Sequence, residues 1–131
     1  MNPPLPTDRE LEILKVLWDR GPSTVRTVHE VLSKDLPIVQ NTIQAFLRTM
    51  EEKGLVRHKV VGRAFLYEPL QPPERTKRKL VGELLSRAFD GAVDQLVHSV
   101  LSVRSPTPDE LKKLEALIAA AKRGNAPKPP P

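Results

Sequence analysis

The sequence predicts a mainly α protein: an α+β first half of three helices and a β-hairpin, then a second half built of helices alone. Three observations predict it. Apolar residues recur at helical spacing in six separate stretches. Between the third and fourth of these the pattern turns extended, with alternating, β-branched and aromatic residues on both sides of a glycine, which marks a hairpin. Proline and glycine stand at the joints, at Gly21-Pro22, Pro37, Gly54, Pro72-Pro73, Asp90-Gly91 and Pro106. With 131 residues, 39% hydrophobic and 28% charged, the chain suits one ordinary domain or two small ones.

The first helix opens at Thr7-Asp8-Arg9-Glu10. A hydroxyl and a carboxylate three residues apart can each accept the other's backbone N–H, a capping box. Leu11, Leu14, Leu17 and Trp18 form its apolar stripe, and Gly21-Pro22 stops it. Ser23 is expected to cap a short second helix with Val25, Val28 and Leu32 inward. The third helix is expected over residues 38–53, ending at Gly54. Val39, Ile43, Phe46, Leu47 and Met50 share one inward sector about 100° wide. Asn41, Gln44, Ala45 and Arg48 lie opposite, with Thr42 and Thr49 at the edge. Amide, hydroxyl and methyl groups occupy two turns where a merely solvated face would carry Glu and Lys. Amides can pair with adenine, and methyls can touch thymine. Residues 55–60 and 63–68 then read as two strands joined at Val61-Gly62. Strands this short must pack on the helices. Arg57, His58, Lys59 and Arg63 are expected to gather at the hairpin tip.

The second half begins after Gln71-Pro72-Pro73, which reads as a hinge. Leu80, Val81, Leu84, Leu85, Ala88 and Phe89 give the fourth helix a wide apolar stripe. Val93, Leu96, Val97, Val100 and Leu101 repeat the spacing in the fifth. Thr107-Pro108-Asp109-Glu110 is a second capping box with proline at the first helical position. Leu111, Leu114, Leu117, Ile118 and Ala121 follow on one face. Three helices in some fifty residues cannot bury all these faces against one another. A two-fold dimer with intertwined helices is the economical solution. Its expected contacts are Leu84, Leu85 and Phe89 on the fourth helix, Val93, Leu96, Val97, Val100 and Leu101 on the fifth, and Leu114, Leu117 and Ile118 on the sixth. The expected organisation is a DNA-binding domain over residues 1–70, a helical dimerisation domain over 71–124, and a disordered proline-rich tail over 125–131.

Charge and composition narrow the function. The net charge is +5, but residues 1–35 hold five Lys or Arg against six Asp or Glu, and residues 36–70 hold five against three. A polyanion-binding surface must therefore be local, with residues 48–63 its best candidate. There is no cysteine, so disulfides, thiolate metal sites and a cysteine nucleophile are excluded. The three histidines are scattered, no nucleophile–base set or glycine-rich phosphate loop is present, and neither catalytic residues nor a metal or cofactor is expected. The N-terminus lacks signal-peptide character and no apolar run spans a bilayer, so a cytoplasmic protein without membrane insertion is expected.

Helix–helix–helix–hairpin with a polar third helix and a basic hairpin is the winged helix-turn-helix arrangement. Gln40, Asn41, Thr42, Gln44 and Ala45 are the candidates for reading bases. Ser23, Arg26, Arg48, His58, Lys59 and Arg63 are the candidates for phosphate contacts, Ser23 from a helix N-terminus. The same fold also serves as a protein-interaction module, and the outward face of the third helix favours DNA.

Leu11 to Trp18 with Pro22-Ser23-Thr24-Val25-Arg26, then Asn41-Thr42-Ile43-Gln44, Lys53-Gly54-Leu55-Val56 and Gly62-Arg63-Ala64-Phe65-Leu66-Tyr67, resemble in order the penicillinase repressor family (BlaI/MecI). The resemblance covers about residues 5–122 and implies a homodimeric repressor bound to inverted repeats with TACA/TGTA-like half-sites. It implies base reading at the start of the third helix and backbone contact by the wing. The family usually has lysine where this chain has Asn41. Several members are inactivated when a membrane metalloprotease sensor leads to cleavage in the fifth helix, commonly at an Asn-Phe pair. The matching positions here are Ser99 and Val100, so that pair is absent. The paired cysteines of a copper-responsive branch are absent as well.

Overall fold

The computed structural model describes residues 4–124. The expected tail over 125–131 lies outside the described residues. The chain divides into two compact units, one ending at Thr76 and the other beginning at Lys77. In order, the elements are α1 (Asp8–Arg20), α2 (Val25–Leu32), α3 (Gln40–Lys53), β1 (Val56–Val61), β2 (Ala64–Pro69), α4 (Pro73–Phe89), α5 (Val93–Val103) and α6 (Pro108–Lys122).

The first unit folds around one apolar cluster. Ile13, Leu14, Val16 and Leu17 of α1, Val28 of α2, and Ile43, Leu47 and Met50 of α3 are buried together with Leu55, Val56 and Tyr67. The inward stripes of three helices thus meet the inner face of the hairpin, which supplies the packing partner such strands need. The strands pair antiparallel, Val56 opposite Pro69 through Val61 opposite Ala64. The turn is therefore Gly62-Arg63, one residue beyond the expected link. Gly62 has φ 63° and Arg63 a negative φ, the signs of a tight II′-type turn that asks for glycine first. Tyr67 sends its backbone N–H and C=O to Ser23, at 2.8 and 2.9 Å, extending the sheet by one bridge.

That bridge corrects the second helix's start. Ser23 is drawn into the sheet and is 4% exposed, and its hydroxyl donates to the Gly21 carbonyl at 2.8 Å. Thr24 is the N-cap instead, accepting from the Thr27 N–H. Val39, expected inward, is 63% exposed. It is the N-cap of α3 and holds extended φ/ψ, so the helical projection that placed it inside does not apply to it.

Glu10 ties the two ends of the unit's helical layer. It is 2% exposed, completes the Thr7 capping box, and accepts from Lys53 Nζ at 2.9 and 3.0 Å. Burial pushes its carboxyl up, but the Thr7 N–H and the Lys53 ammonium outweigh this and hold it below its ordinary value. The Trp18 indole donates to the Gln71 carbonyl at 2.9 Å. His29 Nε2 hydrogen-bonds the Ile38 carbonyl at 3.0 Å, bracing the turn between α2 and α3.

Pro73 opens α4, a position where its missing N–H costs nothing. In the second unit, Thr107 and Glu110 form the expected capping box with Pro108 in the first turn. Arg104 reaches Glu110 through two parallel bonds, at 3.1 and 2.8 Å, fixing the corner between α5 and α6. No residue of α5 or α6 is buried.

Candidate nucleic-acid interface

Ile43, Leu47 and Met50 anchor α3 in the core, so the opposite side is turned outward by helical geometry alone. Gln40, Asn41, Thr42, Gln44, Ala45 and Arg48 are all exposed. Asn41, Ala45 and Arg48 fall on successive turns of one line, with Gln44 and Thr42 on its two flanks. No hydrogen bond or ion pair among the described residues engages the side chains of Gln40, Asn41, Thr42, Gln44 or Arg48. Their donors and acceptors are open to an external partner.

Electrostatics at the helix starts point the same way. α1, α4, α5 and α6 carry acidic residues in their first turns, whereas α2 and α3 carry none. Val39 offers no side-chain cap either. The positive end of α3 is therefore left uncompensated, which favours an anion nearby. Gly54, at φ 82° and ψ 21°, closes the helix in the left-handed conformation and turns the chain into β1.

The wing is less uniformly basic than its composition suggests. Arg57 and Lys59 both pair with Glu68 across the strands, and the Arg57 guanidinium leads in holding the Glu68 carboxyl below its ordinary value. Arg63 alone of the four expected basic groups stands in the turn, exposed and unpaired among the described residues. His58 is half-buried midway along β1, opposite Tyr67, where its Nδ1 binds the Glu51 carboxylate at 2.7 and 2.8 Å. Its expected place at the tip is thereby corrected: His58 shares one face of β1 with the buried Val56, so it turns toward α3. Ser23 is likewise corrected as a phosphate donor, since its hydroxyl is spent on Gly21. Arg26 remains outward at the start of α2, in an exposed pair with Glu30 at 3.2 Å. Such pairs are weak and exchange readily for another anion.

In the second unit most of the expected dimer contacts are exposed and none is buried. Leu84, Val93, Val97, Leu101, Leu117 and Ile118 are all exposed, and Val100 is 58% exposed. Leu85, Phe89, Leu96 and Leu114 are intermediate. Val100, Leu101, Leu114 and Leu117 line one groove of about 470 Å³. Val103, at 84% exposed, lies outside the expected contacts although it continues the Val93–Leu96–Val100 spacing. Ser99 and Val100 sit within regular α5. The wing also exposes Val60, Val61 and Phe65, which strand alternation by itself would not flag. No helix among the described residues is long and apolar enough to cross a membrane.

A penicillinase repressor family model matches residues 6–120. The chain is 32% identical over 123 residues to the transcriptional regulator BlaI of Mycobacterium tuberculosis, spanning 92% of this chain and 88% of the relative. It is 27% identical over 112 residues to the penicillinase repressor of Bacillus licheniformis, spanning 86% and 88%. Among solved structures, the DNA-binding domain of the repressor BlaI aligns with a TM-score of 0.50 and 33% identity, over 55% of this chain and 88% of that domain. With matched sequence running through both units and a winged-helix neighbour for the first, this chain belongs to the penicillinase repressor family.

Proposed function

We propose that this protein is a homodimeric transcriptional repressor that silences promoters by occupying an inverted-repeat operator in the cytoplasm. The observation that carries the reading is the outward face of α3: exposed amide, hydroxyl and methyl groups without partners of their own, rising from a helix rooted in the core. A helix of this kind fits the major groove. Gln40, Asn41, Thr42, Gln44 and Ala45 read base edges, and each good bidentate pair discriminates by about 1–3 kcal/mol. Arg26, Arg48, Lys59 and Arg63 neutralise phosphates, so affinity falls steeply with salt. The relatives named as a transcriptional regulator and a penicillinase repressor support repression as the outcome.

Residues 1–70 act as the DNA-reading domain and residues 71–124 as the dimerisation domain. The uncovered apolar faces of α4, α5 and α6 support a second copy as their cover. The two-fold axis then sets two reading helices about one DNA turn apart. Release through a membrane metalloprotease sensor acts on α5 in this reading. The position is Ser99–Val100, where the Asn-Phe pair cut in several members of the family is absent, and a cut there would part α6 from the first unit. Asn41, standing where the family usually has lysine, makes adenine pairing rather than a charged contact part of operator choice.

Gel-shift titration tests the division of labour, using a duplex with TACA/TGTA half-sites in inverted repeat and a scrambled duplex. Asn41→Ala is expected to relax the preference between them, whereas Arg63→Ala weakens binding to both alike. Equal loss of discrimination in the two variants would refute the assignment.

A further inference from the structure

We propose that Glu51 is a positioning residue of the DNA interface, setting the wing against α3 through His58 so that the helix face and Arg63 engage one duplex together. The inference rests on the DNA-binding reading above. Glu51 lies on α3 two turns beyond Gln44 and on the same edge. An acidic side chain beside a DNA-reading face opposes phosphate unless it is occupied. Glu51 is occupied. Its carboxylate accepts from His58 Nδ1 at 2.7 and 2.8 Å and faces the His58 backbone N–H at 3.3 Å. A carboxylate only accepts, so Nδ1 carries the hydrogen and the imidazole orientation is set.

The imidazole in turn stacks on Phe65 of β2, with centroids 4.2 Å apart and planes 14° from parallel, and lies beside Tyr67 at 5.7 Å. The base of the ribbon is rooted in the core through Val56 and Tyr67. Its outer half is not: Val60, Val61 and Phe65 are exposed, and a two-stranded ribbon alone is marginal in water. The Glu51–His58–Phe65 chain is thus what braces the ribbon to α3 on the way to Arg63. Glu52, the neighbouring acid, is exposed and makes no such bond among the described residues.

The test separates charge from position, because Glu51→Gln and Glu51→Ala both remove the charge but only the glutamine keeps an acceptor. Full-length protein is titrated by fluorescence anisotropy against a duplex selected by the wild type from a random pool, and against its scrambled version. On the selected duplex, Glu51→Ala is expected to bind about fivefold more weakly than Glu51→Gln, the scale of one lost hydrogen bond. On the scrambled duplex the same ratio between the two variants is expected, because the Arg63 contact is to the backbone and serves both duplexes alike. Arg63→Ala costs less in the Glu51→Ala background than in the wild type, since a misplaced wing has already lost that contact. Without DNA, amide exchange over residues 58–66 is faster in Glu51→Ala than in Glu51→Gln. Equal affinities and equal exchange in the two variants would overturn the proposal while leaving the DNA reading intact. A wild type that selects no duplex overturns that reading and this proposal with it.

Discussion

The two units use the same helical vocabulary to different ends. Both open a helix with a threonine capping box, α1 at Thr7 and α6 at Thr107, and both carry apolar stripes at helical spacing. In the first unit those stripes meet, and the apolar core of the described residues lies there entirely. In the second unit, Leu84, Val100, Leu117 and Ile118 remain open to solvent. The difference teaches that an apolar period states that a face will be covered, not what covers it. Burial within one chain makes stability a property of the chain. A face awaiting a second copy makes stability depend on concentration.

The largest expected effects sharpen that contrast. Leu47→Ala removes a fully buried side chain from α3 and is expected to cost about 2–5 kcal/mol in urea unfolding, with the loss independent of protein concentration. Leu117→Glu, at a half-exposed position on α6, is expected to convert dimers to monomers in sedimentation while leaving the first unit folded. An unchanged sedimentation profile would break the comparison, because the second unit would then need no partner.

A smaller effect is expected at the Glu10–Lys53 pair. Lys53→Met strands a carboxylate that is 2% exposed and should cost about 2–3 kcal/mol at neutral pH, below the full buried-pair value because Lys53 is partly solvated. The folded Glu10 carboxyl is held below its ordinary 4.5. Its contribution is therefore complete above that pH and is lost as pH falls through the lower folded value. The gap between variant and wild type should narrow in acid. A gap that stays constant from neutral pH into acid would count against the pair.

The smallest effect belongs to the second unit. Glu110 is held down to about 2, first by the Arg104 guanidinium and then by the Thr107 N–H. The pair is exposed, so its disruption should barely move thermal unfolding. A carboxyl titration followed by NMR should show Glu110 returning toward 4.5 in Arg104→Ala, and the clamp's contribution is lost between pH 4.5 and about 2. An unshifted titration would remove the clamp.

Sequence by itself determined what depends on neighbours a few residues apart. The two capping boxes, the glycine ending α3, the proline opening α6 and the outward amides from Gln40 to Gln44 are all set within a turn or two of helix. Tertiary structure alone decided which of two adjacent hydroxyls would cap α2. Ser23 was taken by Tyr67, forty-four positions away, leaving Thr24 as the cap. It also decided that Glu10 would meet Lys53 and that Glu51 and His58 would hold each other instead of facing solvent and phosphate. The physical reason is range: caps and helical faces follow from local backbone geometry, whereas the partner of a charge or hydroxyl is chosen only when packing brings distant segments within hydrogen-bond reach.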